Sequence, residues 1–119
     1  MTVLIADDNG LFASALDGIL GTEESIEVVG RAADGEEAAR MVVELAPDVV
    51  LMDLSMPRLD GFEATRRIRA TKPETAVVVL TGSLDSADFE KAMEAGAVGY
   101  VTKDRILAEL VPAIYSAAR

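Results

Sequence analysis

The chain has 119 residues, half of them apolar and only 4% aromatic, which suits one domain with a core of Val, Leu, Ile and Ala. It contains neither cysteine nor histidine, excluding disulfides, thiolate chemistry, His-based catalysis and His-ligated metals. A formal charge of −10 argues against this domain gripping nucleic acid by itself. No apolar run approaches the roughly 18 residues of a membrane span, and Met1-Thr2-Val3-Leu4-Ile5 has neither basic lead nor cleavage site, so cytoplasm is the expected setting.

Thr2 to Ala6 reads as a short apolar strand ending at the acidic pair Asp7-Asp8, after which Asn9-Gly10 turns the chain. Leu11, Phe12, Ala15, Leu16, Ile19 and Leu20 recur at helical spacing, with Gly21 placed to end the helix. Ile26 to Ala32 is a more polar strand broken by Gly30, as expected of a sheet edge. Asp34 and Glu37 form a capping pair for a helix to about Leu45, stopped by Pro47. Val49-Val50-Leu51-Met52 reads as a buried parallel strand and runs straight into Asp53. An unpaired buried carboxylate is costly, so this strand must end at solvent or a counter-charge. Pro57 cannot extend a ladder and turns the chain out of the sheet.

Asp60 and Glu63 repeat the capping pattern before a helix with Phe62 and Ile68 inward, and Pro73 closes that region. Ala76 to Leu80 is a fourth strand, leading to Thr81-Gly82-Ser83. The helix from Asp85 to Ala95, closed by Gly96, offers Phe89 and Met93 but little other apolar surface. It is expected to be the most mobile helix. Val98 to Val101 is a short fifth strand before Thr102-Lys103-Asp104. The last helix carries Leu107, Leu110, Val111 and Ile114, and Pro112 in its interior predicts a kink. Arg58, Arg66, Arg67, Arg69 and Lys72 read as a solvated basic face.

Five strands alternating with five helices predict an α/β fold with a parallel sheet and right-handed crossovers. Four strands end in polar groups (Asp7-Asp8, Asp53, Thr81, Lys103) and the second does not. An order of 2-1-3-4-5 accounts for this by placing the second strand at the edge, away from the crevice beside strands one and three.

Taken singly, each group has a bland reading: a helix cap, a turn, a lysine facing water. Taken together, Asp7, Asp8 and Asp53 bring up to three carboxylates within a few ångströms, and Lys103 alone cannot neutralise them. Two such charges about 4 Å apart repel by roughly 4 kcal/mol near a protein surface. The surplus points to a hard divalent cation with oxygen ligands, most naturally magnesium. Magnesium commonly holds a phosphoryl oxygen, and Lys103 and the Thr81 hydroxyl suit the others, leaving Asp53 as the nucleophile of an aspartyl phosphate.

The set Asp7-Asp8, Asp53 in Leu-Met-Asp-Leu-Ser-Met-Pro, Asp60-Gly61, Thr81-Gly82, Gly96-Ala97-Val98-Gly99-Tyr100 and Thr102-Lys103 resembles response-regulator receiver domains of two-component signalling. The likeness covers the whole chain, residues 1–119, and implies the flavodoxin-like receiver fold. It implies phosphoryl transfer from a histidine kinase to Asp53. Magnesium would be held by Asp8, Asp53 and the Ser55 carbonyl, with Asp7 helping through water. Thr81 and Tyr100 would form the switch pair, with Lys103 on the phosphoryl group. The resemblance makes the chain a signalling phosphoacceptor, catalysing only its own phosphorylation and dephosphorylation.

Lys103-Asp104 and the helix behind it look most like the branch carrying a LuxR-type helix-turn-helix output, NarL- or FixJ-like. Many receivers have proline after the lysine, often across a cis bond; here a trans bond is expected. Whether the receiver stands alone or works with an output domain stays open. A homodimer on activation is expected, with the first and last helices as its surface, from the family branch together with Ile106, Leu110 and Ile114 as positions outside the core-facing set; the alternative for these three is that all are core. A pseudo-receiver serving only as a docking or dimerisation module is the competing reading. The carboxylate repulsion retained at Asp53 speaks against it.

Overall fold

The computed structural model describes residues 1–56 and 58–119. Pro57, expected to turn the chain out of the sheet, lies outside the described residues. Strands β1 (Thr2–Ala6), β2 (Glu27–Ala32), β3 (Val49–Asp53), β4 (Ala76–Thr81) and β5 (Gly99–Thr102) alternate with helices α1 (Gly10–Leu20), α2 (Gly35–Leu45), α3 (Gly61–Thr71), α4 (Ser86–Ala95) and α5 (Ile106–Ala117). All strand pairs are parallel, in the order β2-β1-β3-β4-β5, as the distribution of polar strand ends predicted.

Strand alternation sorts the central apolar runs onto two faces. Val3, Ile5, Val49, Leu51, Val78 and Leu80 pack with Leu16 and Leu20 of α1 and Leu110 and Ile114 of α5. Leu4, Val50, Met52, Val77 and Val79 pack with Val42 of α2, Ile68 of α3 and Ala92 of α4. Carried one step past the apolar runs, the same parity puts Asp53 on the α1/α5 side and Thr81 on the α4 side. Tyr100 belongs to the second face and, like Met93, packs partly buried against it.

The helices start where their caps are. Asn9, Asp34 and Asp60 each accept from the backbone N–H three residues on, and Asp85 accepts from Ala87. Asn9, expected only to turn the chain, is thus a true N-cap. Gly61 lets α3 begin against the end of β3, since a Cβ there would lie 2.6 Å from the Asp53 carbonyl oxygen. β5 starts one residue later than predicted: Val98 donates its N–H to the Val77 carbonyl at 2.9 Å, but the pairing with β4 begins at Gly99. Among the described residues there is no cis peptide bond, so Lys103–Asp104 is trans, and no helix is long and apolar enough to cross a membrane.

At α5 the structure decides between the two readings of its apolar positions, in favour of the core. Ile106, Leu110 and Ile114 are all buried in the core, whereas Leu107 is 87% exposed. The large apolar residues of the helix share one broad stripe, so spacing alone does not choose which edge of it is buried; contact with β4 and β5 does. Phe89 is also more exposed than its spacing implied, because it packs edge-on against Tyr100 rather than into the core. The basic residues of the β3–α3 region are largely paired: Arg58 with Asp34, Arg66 with Glu63, Arg67 with Glu36. Arg69 donates to the Pro73 and Thr75 carbonyls.

Candidate functional site

The parallel sheet sets the carboxyl ends of β1, β3, β4 and β5 along one edge. Asp7 extends β1 by one residue, donating its N–H to the Ala32 carbonyl at 2.9 Å, and is 5% exposed. Its Oδ1 accepts from the Asn9 N–H at 2.8 Å, while its Oδ2 is buried and has no hydrogen-bond partner. Asp8 is exposed beside it. Asp53 closes β3 at 3% exposure, and its Oδ1 accepts from the Ser55 N–H at 3.2 Å. Carboxylate oxygens of Asp7, Asp8 and Asp53 lie within 4.8 Å of one another.

Lys103 faces this cluster from the turn after β5. Its Nζ is 3.5 Å from Asp53 Oδ1 and 3.9 Å from Asp7 Oδ2. The Asp7 carboxyl is raised above its ordinary value of 3.8. Burial is the main cause and is opposed by the Asn9 hydrogen bond; Asp53 adds to it, Lys103 opposes it, and Asp8 adds again. A buried, orphaned carboxylate oxygen among two other carboxylates suits a hard cation with oxygen ligands. Oxygens bound at ~2.1 Å to one octahedral magnesium ion stand ~2.9–4.2 Å apart, so a cluster within 4.8 Å needs only a small closing movement to hold one.

Thr81 is 4% exposed at the end of β4, and its Oγ1 accepts from the Ser83 N–H at 3.0 Å. From there, side chains lead into the next helix. Ser83 Oγ accepts from Asp85 N–H at 3.1 Å, and Asp85 Oδ1 accepts from Ala87 N–H at 2.9 Å. Tyr100 has its hydroxyl buried without a hydrogen-bond partner, and its ring meets Phe89 edge-on at 5.3 Å. Burial pushes the phenol up; Asp88 adds to this, the nearby Thr81 side chain opposes it, and Asp85 adds again.

The structure therefore brings Asp7, Asp8, Asp53 and Lys103 together, and sets Thr81 and Tyr100 on the neighbouring α4 side. Ser55 reaches Asp53 through its backbone. Three contributors were not singled out from the sequence. Asn9 had a legible signal, an Asn directly before an apolar helical run. Ser83 and Phe12 had none: Phe12 is close to Lys103 only through the fold, with Nζ 4.5 Å from its ring centroid.

The chain is similar to known proteins over nearly its whole length. The family model described as response regulator receiver domain matches residues 3–115. The transcriptional regulatory protein LiaR of Bacillus subtilis is 40% identical over 117 residues, covering 98% of this chain and 56% of LiaR. A protein-glutamate methylesterase/protein-glutamine glutaminase of Geobacter metallireducens is 48% identical over 99 residues, 81% of this chain and 28% of that protein. Among solved structures, the signal receiver domain of the response regulator NarL from Mycobacterium tuberculosis superposes with a TM-score of 0.93 at 32% identity, covering 98% of this chain and 94% of that one. The chain spans about half the length of the curated transcriptional regulators it matches.

Proposed function

The chain belongs to the response regulator receiver domain family, and from that premise we propose that it is a phosphoacceptor switch in which Asp53 is the nucleophile. The observation that carries the reading is the Asp53 carboxylate, buried at the end of β3 with Lys103 Nζ at 3.5 Å and two more carboxylates beside it. This domain has no histidine, so a phosphohistidine donor lies outside it, on a histidine kinase. An Asp53 oxygen attacks phosphorus, the O–P bond forms as the P–N bond breaks, and the imidazole nitrogen keeps the electron pair and is protonated. Water reverses the modification by attacking phosphorus and releasing the carboxylate.

Asp7, Asp8 and Asp53, with the Ser55 carbonyl, are the residues that would hold magnesium. When bound, the ion supplies positive charge to the phosphoryl oxygens. Lys103 neutralises a further oxygen, and the Thr81 hydroxyl donates to another after leaving its contact with Ser83. That exchange breaks the first of the hydrogen bonds leading to Asp85. α4 buries only Ala92 and Ala95, so shifting it is inexpensive. Tyr100, already inward against Phe89, follows Thr81.

The output of the switch is transcriptional, through a LuxR-type DNA-binding domain, and activation brings two copies together through α1 and α5. Leu11 and Leu107, at the starts of those helices, are 86% and 87% exposed and replace the core residues of α5 as the apolar groups available for contact. A pseudo-receiver used only for docking has no need of three clustered carboxylates, which cost stability.

Incubation with acetyl phosphate and magnesium, followed by mass spectrometry, tests the assignment. Wild type gains one phosphoryl group as an acyl phosphate and Asp53→Asn gains none. Equal uptake by the variant overturns it.

A further inference from the structure

The Lys103 ammonium has no hydrogen bond to either carboxylate it faces; at 3.5 and 3.9 Å the contacts are electrostatic only. A lysine stem is long and flexible, so attraction at these distances leaves its tip poorly placed. The ammonium does have a third neighbour. The ring of Phe12 lies 4.5 Å from Nζ, centroid to nitrogen, within the range where the negative face of an aromatic ring attracts a cation.

Phe12 is itself held by the site. Its N–H donates to Asn9 Oδ1 at 3.1 Å, and the Asn9 N–H donates to Asp7 Oδ1 at 2.8 Å. The side chain packs partly buried against the α1/α5 face of the sheet. Asp7, Asn9, Phe12 and Lys103 therefore form a closed circuit that returns to Asp7, joining the end of β1, the start of α1 and the turn after β5.

We propose that Phe12 is a positioning residue for phosphoryl transfer: its ring holds Lys103 Nζ beside Asp53 before the phosphoryl group arrives. The proposal rests on the phosphoacceptor reading of Asp53. A charge already in place costs no reorganisation as the transition state forms, so a loosely held lysine slows the reaction without blocking it. If Phe12 were only a core aromatic, an aliphatic group of similar size would serve, and the charge on the ring face would be irrelevant.

Fluorination separates these cases, because it drains the ring's negative face while hardly changing its size. Phe12 is replaced with 4-fluoro-, 3,5-difluoro- and 3,4,5-trifluorophenylalanine, and separately by Phe12→Leu and Phe12→Tyr. Phosphorylation rate with acetyl phosphate and magnesium is measured for each, together with the melting temperature. Independently of any reaction, the Lys103 ε-methylene proton shifts are read in protein carrying labelled lysine; the chain has only Lys72, Lys91 and Lys103.

The expected result is a rate roughly three- to tenfold lower in Phe12→Leu, restored in Phe12→Tyr, and falling stepwise with each added fluorine at unchanged melting temperature. The Lys103 ε protons are ring-shielded in wild type and lose that shielding in Phe12→Leu. Rates indifferent to fluorine, or Lys103 shifts unaffected by the loss of the ring, overturn the role of Phe12 while leaving Asp53 as acceptor. A wild-type protein that takes up no phosphoryl group, with Lys103 still shielded, overturns the phosphoacceptor reading instead and removes the reaction that Phe12 would assist.

Discussion

Lys103 Nζ stands 3.9 Å from Asp7 Oδ2, and that buried oxygen has no hydrogen-bond partner. The lysine offsets part of the negative potential of the site without satisfying the carboxylate. The folded protein thus carries an acidic cluster that one counter-charge only partly offsets, and the consequences are measurable without any phosphoryl donor.

Removing one charge should stabilise the metal-free protein. Asp53→Asn keeps shape and hydrogen-bonding capacity, so its gain is set by relieved repulsion, about 1–3 kcal/mol after attenuation by water and Lys103. Lys103→Met should lower stability in the same buffer. Magnesium should stabilise wild type by mass action and narrow or reverse its gap to Asp53→Asn. Melting curves in chelator and in magnesium decide it; an Asp53→Asn protein no more stable than wild type in chelator refutes the strain.

Asp7 gives that strain a pH dependence. Its folded-state value is raised above 3.8, so the native protein takes up this proton more readily than the unfolded chain does. The penalty is therefore present at neutral pH and relieved as pH falls through the raised folded value. In chelator, Asp7→Asn should exceed wild type in stability at pH 7 by more than it does in acid. Denaturant titrations of both proteins across that range check the sign, and a constant difference contradicts it.

Gly61 should resist any side chain. An alanine Cβ would fall 2.6 Å from the Asp53 carbonyl oxygen and 2.8 Å from Leu54 Cα, both backbone. Gly61→Ala should cost about 1–3 kcal/mol and reduce phosphoryl uptake by displacing Asp53. Gly18, exposed in the last turn of α1 with nothing within 4 Å of its would-be Cβ, is the control. Gly18→Ala should gain about 0.5–1 kcal/mol and leave uptake unchanged.

The hydrogen bonds from Thr81 through Ser83 to Asp85 predict how activation spreads. Adding beryllofluoride and magnesium should move backbone chemical shifts across residues 83–95 in wild type. In Thr81→Ala the shifts near Asp53 should remain and those of α4 should shrink. Equal α4 shifts in the two proteins would show that Thr81 does not carry the signal.

Dimerisation on activation should depend on Leu11 and Leu107. Replacing either with Ser should leave phosphoryl uptake intact and weaken association by about tenfold or more, as expected for losing an apolar anchor. Sedimentation of the beryllofluoride-activated proteins measures this, and identical dimer fractions in wild type and variants place the interface elsewhere.

The sheet and the acid site were legible locally because their signals are local. Four strands are apolar runs ending in a polar group, and a parallel sheet collects the ends of such runs on one edge. Asp53, Asp7 and Asp8 could be placed together from that rule alone. Pairing between partners distant in the chain, as with Phe12 and Lys103, leaves no mark in either neighbourhood. The same holds for α5. Ile106, Leu107, Leu110, Val111 and Ile114 fall on one broad apolar stripe of about 140°, so its own sequence does not say which edge of that stripe turns inward. Docking on β4 and β5 buries Ile106, Leu110 and Ile114 and leaves Leu107 in water. Burial is gained only against the shape of a surface already formed, and that surface is made by residues far away in the chain.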